Sequence, residues 1–292
     1  MYTSFYGLRE EPFRLTPDPR FLHLARPHRD ALVTLLQGIL RRQGIVSLTG
    51  EVGTGKTTLL HSLFTIMSRK LNVASALIVN PTLTRDELLE YILQELEIDC
   101  PHTTKPRRLL ALQRFLIEMQ RRGTTTVLVI DEAHLMSVEL LEEVRLLCNA
   151  DGYSEKLLQL ILCGQPELHD TLAEPELRAL NQRIALWVQL QRLSASETRA
   201  YIGERLRVAG LRALSPFSVD STEQIYRHTG GVPRLINQVC DGCLVLGFVN
   251  KRKLIEPNMV VEAARSLRLQ LDGYTNTADE VEQIVNQIGT RQ

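Results

Sequence analysis

The stretch that decides the fold reads Gly50-Glu51-Val52-Gly53-Thr54-Gly55-Lys56-Thr57. It fits the phosphate-loop pattern G-x-x-x-x-G-K-S/T without a mismatch. The apolar run 45–48 precedes it and a helical pattern starts at Thr58, so strand, loop and helix follow in the order that this pattern requires. Glycines let a backbone wrap closely around phosphates and aim its N–H groups inward. The stretch therefore predicts an α/β fold with a nucleotide site at a helix N-terminus.

The residue types of the loop predict separate roles. We expect Lys56 to reach the β- and γ-phosphates and the Thr57 hydroxyl to ligate Mg²⁺. The full set expected to contact the nucleotide is Gly50, Glu51, Val52, Gly53, Thr54, Gly55, Lys56, Thr57 and Thr58. The alternative, a chance glycine-rich turn, is disfavoured because a strand pattern precedes the loop and a helix pattern follows it.

A second apolar run, 126–130, ends in the two carboxylates Asp131 and Glu132. Such a run is typical of a strand buried on both faces of a parallel sheet. We expect Asp131 at the carboxyl end of that strand, holding Mg²⁺ through its water shell. We expect Glu132 to orient and deprotonate an attacking water. A solvated acidic turn is the alternative for this pair, and for His134 a structural role is commoner than a place near the site.

Composition narrows the class of protein. The 292 residues are 44% hydrophobic and 23% charged, and 34 basic side chains balance 34 acidic ones. A chain of this length predicts a large core and two domains. A formal charge of zero argues neither for nor against a nucleic-acid partner. We expect no membrane span, because no apolar stretch approaches about 20 residues. The first residues lack the apolar centre of a signal peptide, so a cytoplasmic location is expected.

The five cysteines are scattered along the chain and odd in number, which suits reduced thiols. Cys240 and Cys243 form a lone C-x-x-C within an apolar helical pattern. Buried cysteine behaves as a small hydrophobic residue, so core packing is favoured over metal or redox use.

Periodicity predicts strands at 45–48, 73–79, 126–130, 157–163 and 184–190, alternating with helices. This alternation predicts an α/β domain with a parallel sheet. Capping boxes are predicted at 84–87 and 194–197, and residues 220–223 are predicted to open a further helix. After residue 193 only helices are predicted. We therefore expect an α/β domain over 1–193 that includes a proline-rich lead-in, a helical lid over 194–270 and a tail over 271–292.

Taken in this order, the chain resembles an AAA+ ATPase, a P-loop NTPase with a parallel-sheet core and a helical lid. More narrowly, it resembles the ExeA-type general secretion pathway protein A family and its relatives at exopolysaccharide and protein-sorting loci. The resemblance covers residues 1 to about 270. The segments that carry it are Phe5-Tyr6-Gly7-Leu8, Pro12-Phe13, Pro17-Asp18-Pro19-Arg20, the loop Gly50–Thr57, Asp131-Glu132-Ala133-His134, Gly164-Gln165-Pro166-Glu167-Leu168 and Gly230-Gly231-Val232-Pro233-Arg234.

The resemblance implies three further site residues. Gln165 matches the polar residue that senses the γ-phosphate, and a turn residue before Pro166 is the alternative. Arg234 matches the lid arginine that contacts the same nucleotide, and a solvated arginine at a helix start is the alternative. Arg183 is the candidate arginine finger, which acts on the ATP of a neighbouring subunit, and Arg178 is the alternative for that role.

The expected function is Mg²⁺-dependent ATP hydrolysis that drives or switches assembly of a cell-envelope secretion or export system. A homo-oligomer and an export-system partner are expected, with membrane association only through that partner. Members of this family typically continue into a transmembrane helix and a periplasmic part, so the chain is expected to be a fragment or a standalone relative.

Two alternatives come from other classes. An ATP-dependent DNA-binding regulator of the transposition type would use basic clusters at 105–122 and 251–253, which we interpret instead as solvated helix faces. A nucleotide-binding scaffold without turnover is disfavoured by the intact Lys56, Asp131 and Glu132.

Overall fold

The computed structural model describes residues 2–16, 19–21, 25–101, 104–148 and 156–269. The chain divides into two compact units, one formed by Leu24–Gln191 and the other by Met1–His23 together with Arg192–Gln292. In chain order the elements are α1 (Tyr2–Tyr6), α2 (Arg26–Leu40), β1 (Ile45–Gly50), α3 (Lys56–Lys70), β2 (Val73–Ile78), α4 (Arg85–Glu95), α5 (Lys105–Arg121), β3 (Thr125–Ile130), α6 (Val138–Leu147), β4 (Leu158–Gly164), α7 (Glu167–Leu172), α8 (Arg178–Asn181), β5 (Ile184–Leu190), α9 (Ala195–Val208), α10 (Val219–Thr229), α11 (Pro233–Val249) and α12 (Pro257–Ser266).

The first unit is built on a parallel sheet of five strands in the order β2-β3-β4-β1-β5. The central strands are apolar because helices cover both faces of the sheet. Every residue from Val127 to Ile130 in β3 is fully buried, as are Leu160–Cys163 in β4. The predicted α/β fold with a parallel sheet is confirmed. The carboxyl ends of β3, β4 and β1 lie side by side, which brings the residues that follow them to one edge.

Two apolar clusters lie on the opposite faces of this sheet. One joins α4, α5 and α6 to side chains such as Leu128 and Leu160, and the other joins α2 and α3 to side chains such as Val129 and Ile161. Alternate residues of the same strand thus enter different clusters, as the period of a strand requires. The register of each strand is therefore fixed from both sides.

Local sequence signals set most helix starts. The Thr84 and Ser194 side chains accept from the N–H groups of Glu87 and Glu197, whose carboxylates return the bond, so two predicted capping boxes are present. The helix predicted to open at 220–223 is α10, which begins one residue earlier and is capped by Ser218, whose hydroxyl accepts from the Ser221 N–H. Ser218 has the extended backbone that a capping position needs, and Asp220 already lies inside the helix.

The second unit consists of α9–α12 and the N-terminal segment. The Tyr2 hydroxyl donates to Asp241 on α11, and the Arg205 guanidinium on α9 donates to the Pro12 carbonyl at 2.5 Å. Phe13 packs edge to face on Phe217. The sequence interpretation attached this lead-in to the α/β domain, whereas its contacts group it with the helices. The reason is that its aromatic side chains are buried against α11 and the start of α10.

The cysteine pair lies inside α11. Cys240 and Cys243 are fully buried and free, and burial raises the pKa of Cys243 to about 12. Both thiols therefore pack as apolar groups. The parts of the chain that the structure describes contain no group of three His, Cys, Asp or Glu side chains able to hold a metal. None of the helices among those residues is long and apolar enough to cross a membrane. The predicted tail lies outside the described residues.

Candidate functional site

The loop between β1 and α3 has the shape of an anion cradle. The Thr54 N–H and hydroxyl both bond the Glu51 carbonyl, at 3.3 and 2.8 Å, which closes the turn. Gly55 follows with φ +103°, a backbone that a residue with a Cβ rarely adopts. Gly55 is also the residue before α3, and it offers no side chain to cap the first-turn N–H groups. Those N–H groups and the helix dipole favour a negative ligand at this position.

Lys56 is placed at the base of this loop. Its side chain is 7% exposed, and its ammonium donates to the Gly50 carbonyl at 2.7 Å and to the Glu51 carbonyl at 3.2 Å. A buried ammonium needs such partners because removing its hydration is costly. The charge of Lys56 is thus held against the backbone of the loop, on the side of the β1 terminus.

Asp131 and Glu132 follow β3, as the sequence predicts. Asp131 is buried, and its N–H continues the sheet by donating to the Ile78 carbonyl at 2.8 Å. One of its carboxylate oxygens accepts from the Glu132 N–H at 2.9 Å. The other lies 3.4 Å from the Thr57 hydroxyl, at the long end of a hydrogen bond. The Thr57 hydroxyl oxygen and an Asp131 carboxylate oxygen therefore face each other.

Glu132 itself has a left-handed backbone, with φ +53°. A residue with a Cβ is strained there, and such strain clusters at functional sites. The bend takes the Glu132 side chain away from the strand direction and leaves its carboxylate 37% exposed. A half-exposed carboxylate beside a buried one is an arrangement that can meet a water molecule.

His134 connects Glu132 to Gln165. The Gln165 side-chain nitrogen lies 2.9 Å from His134 Nε2, and His134 Nδ1 lies 3.4 Å from a Glu132 carboxylate oxygen. An amide nitrogen only donates, so Nε2 is the acceptor of the Gln165 side chain. The backbone N–H of Gln165 also approaches Nδ1 at 3.4 Å. His134 therefore lies between the two predicted catalytic residues, a position that the sequence did not settle.

The buried thiol of Cys163 lies near the charges of the site. Burial is the main reason that the pKa of this thiol is well above its usual value, and the charge of Asp131 and a hydrogen bond with it raise the pKa further. Lys56 acts in the opposite direction, and Glu132 in the same direction as Asp131. These three charged groups all act on one atom, so loop and acidic strand end share a neighbourhood.

The three arginines named from the sequence lie on other elements of the chain. Arg183 immediately precedes β5, whose first residue Ile184 pairs with Ile45 at the start of β1. It therefore lies at the opposite end of β1 from the loop, about 16 Å away along a six-residue strand. Arg178 is the first residue of α8. Arg234 lies in the first turn of α11, in the other compact unit.

One carboxylate of α6 lies close enough to Arg183 to feel its charge. Glu142 on α6 has a lowered pKa, mainly because Arg145 donates to it, with a smaller contribution from the charge of Arg183. Arg183 thus lies near a partly exposed carboxylate at the amino edge of the sheet. The roles of Arg183, Arg178 and Arg234 stay predictions.

Sequence reasoning missed His28. The helix α2 begins at Arg26 and carries His28 in its first turn. Its Nε2 lies 2.9 Å from the Thr54 carbonyl in the phosphate loop. The partners are 26 positions apart, and no local pattern marks a histidine for such a contact.

Comparisons with known proteins agree with this geometry. Residues 39–172 match the family described as AAA domain. The chain is 39% identical over 250 residues to general secretion pathway protein A of Aeromonas hydrophila, covering 85% of this chain and 45% of that protein. It is 27% identical over 146 residues to ABC transporter G family member 1 of Arabidopsis thaliana, covering 42% of this chain and 19% of that protein. The chain thus spans less than half the length of the curated relatives it matches.

Solved structures match the fold over a greater share of their length. Cdc6p from Pyrobaculum aerophilum has a TM-score of 0.64 at 22% identity, covering 90% of this chain and 73% of that one. ORC2 of Aeropyrum pernix has a TM-score of 0.64 at 16% identity, with coverages of 89% and 72%. The Thermotoga maritima RuvB branch migration motor has a TM-score of 0.56 at 17% identity, with coverages of 96% and 81%. The chain thus has the fold of these structures, contains a match to the AAA domain over residues 39–172, and is similar to general secretion pathway protein A.

Proposed function

We propose that this chain binds ATP at the loop Gly50–Thr57 and hydrolyses it with Glu132 as the base. One observation carries the proposal: the Thr57 hydroxyl and the Asp131 carboxylate face each other at 3.4 Å beside the buried Lys56. Loop, cation and carboxylates come from strands β1 and β3, which lie on either side of β4. This is the set of groups that phosphoryl transfer to water needs.

The oxygen donors at this point suit Mg²⁺. The ion prefers carboxylate and hydroxyl oxygens together with phosphate oxygens and water, and it keeps several waters. Thr57 and Asp131 would hold it, since the second Asp131 oxygen is already occupied by the Glu132 N–H. Bound there, Mg²⁺ would neutralise charge on the phosphate oxygens.

The protein side of the reaction follows from the contacts. The loop N–H groups and Lys56 bind the phosphates and fix their position. The exposed Glu132 carboxylate orients a water and accepts its proton as the water attacks. Gln165 donates to His134, whose Nδ1 lies 3.4 Å from the Glu132 carboxylate, so these two residues help to position the glutamate side chain. Gln165 and Arg234 are proposed to contact the γ-phosphate.

The decisive experiment is nucleotide binding by the Lys56→Ala variant, measured by calorimetry. We expect ATP affinity to fall below detection, because the ammonium that Lys56 holds at the base of the loop is lost. Lys70→Ala is the matched control, since Lys70 is the exposed last residue of the same helix. Unchanged affinity in Lys56→Ala would remove the loop from the proposal.

We further propose that hydrolysis drives or switches assembly of a cell-envelope secretion or export system. The support is the 39% identity to general secretion pathway protein A. A homo-oligomer is part of this proposal, because a trans-acting Arg183 needs a neighbour. The test is export in cells whose only copy carries Glu132→Gln: we expect export to fail while the protein accumulates normally. Normal export would contradict this role. The expected cytoplasmic location stays a prediction.

The structure gives less support to the DNA-binding alternative. Several members of the basic clusters pair with carboxylates: Lys105 with Glu143, Arg108 with Glu90, Arg122 with Glu118, and Arg252 with Glu256. Paired cations offer less charge to a phosphate backbone. Steeply salt-dependent duplex binding that requires ATP would reverse this preference.

A further inference from the structure

His28 touches the phosphate loop at its tightest point. The imidazole is 6% exposed, and Nε2 lies 2.9 Å from the Thr54 carbonyl oxygen. A Cβ added to Gly55 would come within 2.9 Å of the same nitrogen. The ring is therefore packed directly on Gly55, and the glycine is required there for space as well as for its φ of +103°.

Donor and acceptor can be assigned in this contact. A carbonyl oxygen only accepts, so the proton is on Nε2 and His28 is the donor. The peptide bond between Thr54 and Gly55 is planar and trans, so its C=O and N–H groups point in opposite directions. A donor that holds the Thr54 C=O toward α2 therefore turns the Gly55 N–H away from α2. Loop N–H groups turned inward are what bind phosphates.

We propose that His28 is a positioning residue that sets the orientation of the Thr54–Gly55 peptide and thereby the Gly55 N–H donor for the nucleotide phosphates. The inference rests on the proposed nucleotide binding and adds to it a residue outside the loop. His28 belongs to α2, and so the helix that precedes β1 becomes part of the binding site. We expect His28 to affect the affinity for phosphate and not proton transfer at Glu132.

The test compares two substitutions of similar size. The side-chain nitrogen of glutamine stands the same number of bonds from Cα as His Nε2, so His28→Gln keeps a donor where His28→Leu has none. ADP affinity is measured by calorimetry with EDTA present, which leaves the phosphate contacts as the main variable. We expect His28→Leu to weaken ADP binding about tenfold and His28→Gln to stay within about twofold of the wild type.

Leu35→Ala controls for stability alone. Leu35 is fully buried on the same helix and belongs to the apolar cluster beneath it. We expect a lower melting temperature with ADP affinity within about twofold of the wild type. If loss of packing were the whole effect of His28→Leu, Leu35→Ala would weaken ADP binding equally, and the inference would be wrong.

The other outcomes are also decisive. Equal ADP affinity in His28→Leu and the wild type, or His28→Gln as weak as His28→Leu, overturns the inference. Should His28→Leu fail to fold, His28→Asn replaces it, because the asparagine donor stands one bond closer to Cα and cannot reach the Thr54 carbonyl. Equal ADP affinity of the Asn and Gln variants then overturns the inference. A wild-type chain that does not bind ADP would end the proposed function as well. If ADP binding is lost in Lys56→Ala but unchanged in the His28 variants, this inference is wrong and the proposed function stands.

Discussion

The Thr57 hydroxyl lies 3.4 Å from the Asp131 carboxylate, although 74 positions separate the two residues. The first turn of α3 carries one group and the end of β3 carries the other, with β4 between their two strands in the sheet. Parallel strands bring their carboxyl ends to one edge, so distant parts of the chain meet there. The relationship explains why a loop motif and an acidic strand end can serve a single ligand.

Glu132→Gln should separate binding from hydrolysis. An amide cannot accept the proton of the attacking water, so we expect hydrolysis to fall by about 10²–10⁴-fold while ATP binding is retained. Phosphate release and calorimetry measure the two quantities. Glu118→Gln is the control, since Glu118 pairs with Arg122 on the surface of α5. Turnover at the wild-type rate would remove Glu132 from the mechanism.

Gln165 and His134 should act as one unit. Because His134 lies between Gln165 and Glu132, removing either side chain interrupts the same contact chain. We expect Gln165→Ala and His134→Ala each to lower kcat about tenfold, and the double variant to lose little more than either single one. The exposed His169 on α7 provides the control His169→Ala, which should keep the wild-type rate. Fully additive losses would show that the two residues act separately.

Arg183 should matter only between subunits. It lies at the far end of β1 from the loop of its own chain, beyond the reach of an arginine side chain. Mixing Arg183→Ala protomers with Lys56→Ala protomers should therefore restore part of the ATPase activity, because intact sites then meet intact arginines. The same mixture made with Arg178→Ala tests the alternative arginine. If neither mixture recovers activity, neither arginine is a trans-acting finger.

Gly231→Ala should destabilise the helical unit strongly. An added Cβ would lie 1.9 Å from the Leu193 carbonyl oxygen, and Leu193 is also tied to the turn because its N–H donates to the Gly231 carbonyl at 3.0 Å. Gly7 has nearly the same φ, +72° against +76°, with nothing within 4 Å of its added Cβ.

The matched pair separates crowding from backbone strain. Gly7→Ala should cost about 1–2 kcal/mol from φ alone, and Gly231→Ala more than about 3 kcal/mol. Thermal unfolding measures both. Similar melting temperatures for the two variants would show that the turn yields to the added group.

Prediction from the sequence succeeded where a signal is local. Residues close in sequence determine each of these features: the phosphate loop, the buried run before Asp131 and the capping residues Thr84 and Ser194. At the start of α10 several adjacent residues can cap, so sequence alone could not choose Ser218 over Asp220. The short helices α7 and α8 were not predicted, because a few residues show too little periodicity to indicate a helix.

Contacts between distant residues that carry no motif could not be predicted. The N-terminal aromatics pack against helices about 200 positions later, and only the folded chain shows that Pro12 accepts from Arg205. His28 and Thr54 meet because α2 lies against the phosphate loop, and His134 meets Gln165 because β3 and β4 are neighbours. Such pairings depend on the arrangement of whole elements, which no short pattern encodes.

The register between β3 and β4 also sets the position of the Asp131 carboxylate. Ile130 is aligned with Leu162, and Asp131 is the next residue. A slip of one position would shift the carboxylate by about 3.3 Å and turn it to the opposite face of the sheet. The buried side chains of β3 resist that slip, so a substitution deep in this strand can misalign the acid while the protein stays folded. Loss of turnover without loss of fold is thus the signature to expect from the interior of the sheet.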